Sequence, residues 1–410
     1  MKTKTNTILL ILVLTLAGCS HNLTPEPDPV DIVMTPKSLQ LVKTNNSFTF
    51  NLFKAIPESQ GKNVMVSPLS ISLALSMTLN GADGSTKTDM VNALGLNDLS
   101  VDDINQVYLD LVTALKKADA NVVLNVANSI WIRKNFPVLD PFIAANQKYY
   151  DARVESLDFN AAALNTINSW VNEKTNTKIP KILDKISAEE VMFLINAIYF
   201  NGKWQIQFEK SQTQNGTFTL ATGGSVNVPL MKVKEKFGYS EQTGYEALKM
   251  PYGRGKFSML VLLPDVGKTP DQIIEQITPS TWETLKTSLN SPLKVDVWMP
   301  RFKFTWESEL KEILSSLGMA VAFSKEEANF TKINSDGHLF ITKVKHKTFI
   351  DVNEEGTEAA AATSVGIGFT SAGPGGPEFH AIRPFLFFIT EEDTGTILFV
   401  GKVENPLSAN

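Results

Sequence analysis

The sequence predicts an α+β fold, on three observations. Helical periodicity with start and stop signals marks the earlier part of the 410 residues. Long apolar, strand-like runs mark the later part. Apolar residues make up 43% and charged residues 20%, the balance of a chain with a large buried core.

The elements follow in order. Ser67-Pro68 stands ahead of an apolar run with Leu69, Leu73, Leu75 and Met77, and Gly81 closes it, which reads as a helix with proline in its first turn. Asn165 to Glu173 places Ile167, Trp170 and Val171 on one face, a second helix. Glu309 to Leu317 reads as a third, stopped by Gly318. Val191 to Phe200 is a continuous apolar run, predicted to be a strand buried on both faces. Phe257 to Pro264 is another, and Thr348 to Asn353 a third. Phe385–Thr390 and Thr396–Val400 flank Glu391-Glu392-Asp393-Thr394-Gly395, a hairpin. From about Lys37 onward there is no internal repeat, no low-complexity block and no second linker before the C-terminal region.

Several function classes drop out. The net charge of −5 argues against nucleic acid as a partner. A single cysteine excludes an intrachain disulfide framework and Cys-based zinc clusters. The four histidines, His21, His338, His346 and His380, show no metalloprotease spacing, and no G-x-S-x-G elbow is present, so a hydrolase is disfavoured. No metal site or cofactor is predicted.

That one cysteine stands at a telling place. Lys2 and Lys4 precede an apolar stretch from Ile8 to Leu16, followed by Ala17-Gly18-Cys19-Ser20. This is the layout of a secretory signal, and it is shorter than the roughly 20 apolar residues that span a bilayer. Leu16-Ala17-Gly18-Cys19 resembles the bacterial lipobox, in which the cysteine thiol takes a diacylglycerol. The division expected is a signal over 1–18, a lipidated Cys19 with an extended tether over 19–36, and a folded body over 37–410. Pro25, Pro27, Pro29 and Pro36 make the tether a semi-rigid spacer. The expected location is beyond the inner membrane, lipid-anchored in the bacterial envelope at the outer membrane, facing periplasm or exterior.

One segment does not suit a compact domain. Some thirty residues with no stable pattern separate Asn353 from the strand at Phe385, and residues 366–377 include five Gly and two Pro. In its first half, period two puts Thr357, Ala359, Ala361, Thr363 and Val365 on one face, all small or β-branched and none charged. A strand that must slide into a packed sheet needs such a face. A short Ala-rich helix is the other local reading, and the residues alone do not choose between them.

In this setting the chain resembles the serpin family across nearly all of residues 45–405. The resemblance rests on Asn63-Val64-Met65-Val66-Ser67-Pro68, Ile167 to Ile179, Asn196 to Trp204, Leu317-Gly318-Met319 and Val344 to Thr363, in the family's order. It implies a single domain of three sheets and about eight or nine helices, below an exposed reactive loop over about 354–379. It implies a suicide-substrate inhibitor with no catalytic residue of its own. A target protease cleaves the loop and is acylated, and the loop inserts into the main sheet. The hinge would be Glu354, Glu355, Gly356, Thr357, Glu358, Ala359, Ala360, Ala361 and Ala362. Thr357 enters first, and a charge there would be buried without a partner. Ser67, Ser70, Asn196 and His346 resemble the polar cluster where the strands part. Trp204, Arg301 and Glu354 resemble the group at the top of the sheet.

Counting from Glu354 by the family's usual spacing gives Thr370-Ser371 as the scissile bond. Phe369-Thr370 is the alternative, and counting back from Phe379 points nearer Gly373. Ile382 stands where the family commonly has an acidic residue. These side chains suit elastase-, chymotrypsin- or subtilisin-like serine proteases, with a papain-like cysteine protease also compatible. No Arg or Lys lies between Lys347 and Arg383, which disfavours a trypsin-like target. The resemblance implies a monomer. A non-inhibitory serpin, a carrier or structural protein cleaved as a plain substrate, is the alternative.

Overall fold

A computed structural model of the protein describes residues 27–57, 61–358 and 376–409. Helices come first. α1 (Pro36–Lys54) begins on Thr35, whose hydroxyl accepts from the Ser38 N–H, with Pro36 in the first turn. β1 (Val64–Val66) leads into α2 (Pro68–Leu79), capped by Ser67 as its Ser-Pro signal predicts. α2 is buried almost all round, so its sequence is apolar on every side. α3 (Gly84–Ala93) and α4 (Val101–Leu115) follow, then β2 (Val122–Arg133), α5 (Asp140–Tyr150) and β3 (Arg153–Leu157). α6 (Ala161–Lys174) buries Ile167, Trp170 and Val171 together, the face its spacing predicts.

The later chain is mostly strand: β4 (Met192–Lys203), β5 (Gln214–Thr219), β6 (Ser225–Gln242), β7 (Tyr245–Tyr252) and β8 (Phe257–Pro264). Two helices with capping boxes, α7 (Pro270–Gln276) and α8 (Pro279–Ser288), interrupt it. Then come β9 (Pro292–Pro300), β10 (Phe302–Glu309), α9 (Lys311–Leu314), β11 (Lys345–Asn353), β12 (Gly356–Thr357), β13 (Glu378–His380), β14 (Phe385–Glu391) and β15 (Ile397–Val403).

The main sheet has six strands in the order β10-β11-β12-β4-β2-β3. The other nine strands form one hydrogen-bonded network, β1-β15-β14-β8-β7-β6-β9-β13 with β5 on β6. The long β6 belongs to two sheets within it. Its first part, to Gly238, pairs with β5 and β9, and Gly238–Gln242 pair with β7. The three sheets implied by the resemblance are therefore the main sheet and two smaller ones joined through β6.

β4 separates two cores. Phe193, Ile195 and Ala197 face α6 and join Ile167, Trp170 and Trp131. Ile198 and Phe200 belong to the larger core beneath the sheet. That double burial explains why the Val191–Phe200 run shows little polar alternation.

Three expectations change. Glu309 does not start a helix. It ends β10, paired with Lys345, and its carboxylate accepts from the Val344 N–H at 2.6 Å. Sheet pairing overrides local helical preference there, and the helix begins only at Lys311. Gly318 does end the helical stretch, at φ 105°. The long connection after Asn353 holds two short strands, β12 and β13. Within the predicted tether, residues 27–35 lie against the body. The Val30 N–H donates to the Ala118 carbonyl at 2.9 Å, Asp28 pairs with Arg254 at 2.8 Å, and Asp31 pairs with Lys256.

Candidate functional site

The site is built where β11 ends. Glu354, 1% exposed, receives two bonds from Arg301, Nε at 2.8 Å and Nη2 at 2.5 Å, and one from the Thr213 hydroxyl at 2.5 Å. Burial alone would raise its pKa, but the Arg301 and Thr213 bonds hold the carboxyl below its ordinary value. Glu354 is buried while Arg301 is 44% exposed, so solvent screening leaves the pair weaker than a fully buried one. Glu355 pairs with Lys210 at 2.5 Å, and its carbonyl accepts from the Trp204 N–H at 2.8 Å. The Trp204 indole donates to the Asn353 carbonyl at 2.9 Å, and its ring stacks on Tyr252 with centroids 4.4 Å apart. Trp204, Arg301 and Glu354 thus lie at one end of the main sheet, as the resemblance implies.

β12 is the start of the predicted loop, and it lies inside the sheet. Gly356 pairs with Asn353 on one side and Lys203 on the other; Thr357 pairs with Val352 and Gly202. Glycine is required at 356 by the close approach of a neighbouring strand. A Cβ there would stand 2.1 Å from the Gly202 carbonyl oxygen and 2.7 Å from the Lys203 Cα. Thr357 is 2% exposed, with its hydroxyl 2.6 Å from the Tyr252 hydroxyl. The side chain turns inward, as the period-two reading expects. Glu358 leaves the sheet in a left-handed conformation, φ 58°.

Directly beyond Thr357 only Glu358 of the loop is described, bonded through its N–H to Asp351 on β11 and through its carbonyl to Asn201 on β4. Among the described residues no ladder joins β4 directly to β11; they meet only through β12. A gap of about 10 Å³ lies beside Thr357 and Glu358, walled by Ile198, Tyr199, Phe349 and Ile350. Farther along, a cavity of about 350 Å³ opens between residues 190–196 and 337–346, floored by Ser70, Ile71 and Ala74 of α2. Its far end is bridged by the Lys343–Glu190 ion pair at 2.6 Å.

The polar cluster sits beside that cavity. The Ser67 N–H donates to His346 Nε2 at 3.0 Å and the Ser67 hydroxyl to the Leu398 carbonyl at 2.8 Å. The Ser70 hydroxyl donates to Asn196 at 2.5 Å, and the Asn196 amide to Asn128 at 2.7 Å. All four predicted residues therefore lie together. Burial pushes the His346 pKa down to about 3, so the ring is neutral and free to accept from Ser67.

Sequence reading missed Tyr252, Asn128, Thr213 and Lys210. Each acts through contacts between distant segments, and no local spacing marks them. Cys19, Ala359, Ala360, Ala361, Ala362, Phe369, Thr370 and Ser371 lie outside the described residues.

With this geometry in hand, the comparisons are consistent. The family model described as Serpin (serine protease inhibitor) matches residues 43–406. An uncharacterized serpin-like protein of Methanosarcina acetivorans is 35% identical over 89% of this chain and 86% of its own. The leukocyte elastase inhibitor of Sus scrofa is 37% identical over 90% of this chain and all of its own. The crystal structure of the thermophilic serpin tengpin in its native state superposes with a TM-score of 0.83 at 34% identity, covering 92% of this chain and 97% of that one. The fold is that of the class whose family model is described as serine protease inhibitor. The chain belongs to the serpin family.

The His346 geometry sets a pH dependence. The native state keeps the ring neutral and the unfolded chain protonates it below about pH 6.5, so stability is full above that value and is lost as pH falls toward 3. Comparing urea unfolding at pH 7.5 and pH 5, the protein should lose about 2 kcal/mol more than His346→Gln. Equal losses in the two proteins would contradict the buried neutral ring.

Proposed function

We propose that this protein inhibits a serine protease as a suicide substrate. The observation carrying this reading is β12: the loop begins as a two-residue strand between β4 and β11, and among the described residues those two strands meet only through it. The protease serine Oγ attacks the carbonyl carbon of Thr370, or of Phe369 in the alternative register. The C–N bond breaks, the amine of the next residue leaves with a proton, and an ester joins loop and protease. The freed loop then extends β12 between β4 and β11, forming ladder bonds on both sides. The acylated protease is carried toward the far end of the main sheet before water can hydrolyse the ester.

The local chemistry supports such a movement. The residues that would follow Thr357 on the inward face of an extended β12, Ala359, Ala361 and Thr363, are small and uncharged, as a packed interior requires. The Ser67, Ser70, Asn196 and Asn128 groups can exchange hydrogen-bond partners as a strand arrives, without leaving a buried polar group unpaired. Targets of elastase-, chymotrypsin- or subtilisin-like specificity suit Phe369 and Thr370, and the inhibitor acts as a monomer. Acylation of Cys19 would hold it in the bacterial envelope by more than one lipid chain.

Incubation with elastase-, chymotrypsin- and subtilisin-type proteases should give a covalent complex that survives boiling in detergent. Mass spectrometry of the released C-terminal peptide should start it at Ser371 or within about three residues. Cleavage by every protease without any complex would leave only the plain-substrate reading. Thr357→Arg places a charge at a 2% exposed position, at a cost of roughly several kcal/mol on burial. That variant should fold, be cleaved at the same bond and trap no protease; undiminished trapping would remove the insertion step. Cys19→Ser should move the protein from the envelope fraction to the soluble fraction, and unchanged fractionation would remove the lipid anchor.

A further inference from the structure

Glu358 is the residue at which β12 stops, and its surroundings are unusual for a carboxylate at a strand end. A glutamate at φ 58° holds a conformation that costs an L-residue roughly 1–2 kcal/mol, so its neighbours must keep it there. They are identifiable. The Glu358 N–H donates to the Asp351 carbonyl at 2.7 Å on β11, and the Glu358 carbonyl accepts from the Asn201 amide on β4. The side chain enters the narrow gap between those strands, beneath the segment that follows α6.

Charged and titratable groups face the carboxyl from every neighbouring element. On β4, the Tyr199 hydroxyl accepts from Asn176 at 3.0 Å and Asn201 at 3.2 Å, leaving its own proton for Glu358. Lys178, just beyond α6, and Lys303 on β10 both lie against the Phe349 ring, at 5.1 Å and 5.5 Å from its centroid. Asp351 on β11 is the opposing negative charge and is itself paired with Lys303 at 3.0 Å. Despite these groups, Glu358 Oε2 is buried without a hydrogen-bond partner. The arrangement suits a protonated carboxyl better than an ionised one.

We propose that Glu358 is a positioning residue that holds the loop at the threshold of the sheet, and that ionisation of its carboxyl loosens that hold. To advance, the chain must swing Glu358 from the left-handed to the extended conformation and withdraw its side chain from Tyr199. Burial pushes the carboxyl pKa up to about 7. The stopped position therefore binds a proton more tightly than any form in which the carboxyl meets water. It is most favoured at low pH and loses that advantage as pH rises from about 4.5 to 7. Advance of the hinge should be easier at pH 8 than at pH 5.5.

The inference rests on the inhibitory reading for its consequence, and its test uses the intact protein without any protease. Hydrogen exchange of the 350–358 segment, corrected for intrinsic chemical rates, should show opening roughly thirtyfold more frequent at pH 8 than at pH 5.5. Glu358→Gln, which cannot ionise, should hold the low-pH value throughout. Lys178→Met removes a cation that favours the ionised form and should move the midpoint to higher pH. A flat profile in the unchanged protein, or the same slope in Glu358→Gln, would overturn the proposal. Failure to trap any protease, with this pH profile intact, would instead remove the inhibitory reading and leave the role of Glu358 standing.

Discussion

Among the described residues, two strands of the main sheet, β4 and β11, are joined only through Gly356 and Thr357, and the rest of the site depends on that constraint. A sheet gains stability from ladder bonds and from side chains packed on its faces. Here the centre of the sheet has both at one end, where Gly356 and Thr357 pair on each side. Toward the other end it has the cavity and the polar cluster. On the proposed mechanism, further pairing between β4 and β11 would release free energy, and that release would be the inhibitor's driving force.

The two ends are built from different chemistry. At the top, buried charges are anchored by short, directed bonds, with Arg301 and Thr213 on Glu354 and Lys210 on Glu355. Such a group resists displacement, because separating it strands a charge out of water. Lower down, neutral hydroxyls, amides and a neutral imidazole share bonds that can be exchanged at small net cost. On the proposed mechanism, the fixed end would set where the loop enters, and the neutral cluster would let the lower sheet part. Trp204 and Tyr252 connect the anchors to Thr357, the first being bonded to Asn353 and the second to Thr357 itself.

Much of this was legible in the sequence, for local reasons. The Ser67 cap, the apolar face of α6, the β8 run and the β14–β15 hairpin each follow from a period, a cap or a turn that neighbouring residues specify. The uncharged, small alternation after Gly356 was equally plain. The start of α9 was not, since Glu309 is claimed by pairing with Lys345, a residue far along the chain.

By itself, the sequence determined the α+β class, the family and which residues gather in the polar cluster, because those depend on side-chain size, polarity and order along the chain. Only the tertiary structure decided that the hinge is already two residues into the sheet and that Gly356 is demanded by the Gly202 carbonyl. It alone placed Tyr252 under Thr357 and the Glu358 carboxyl between two strands and the end of α6. Those facts are distances between segments far apart in the chain. A sequence carries the size and charge of each group, whereas burial and the identity of its neighbour exist only once the chain has folded.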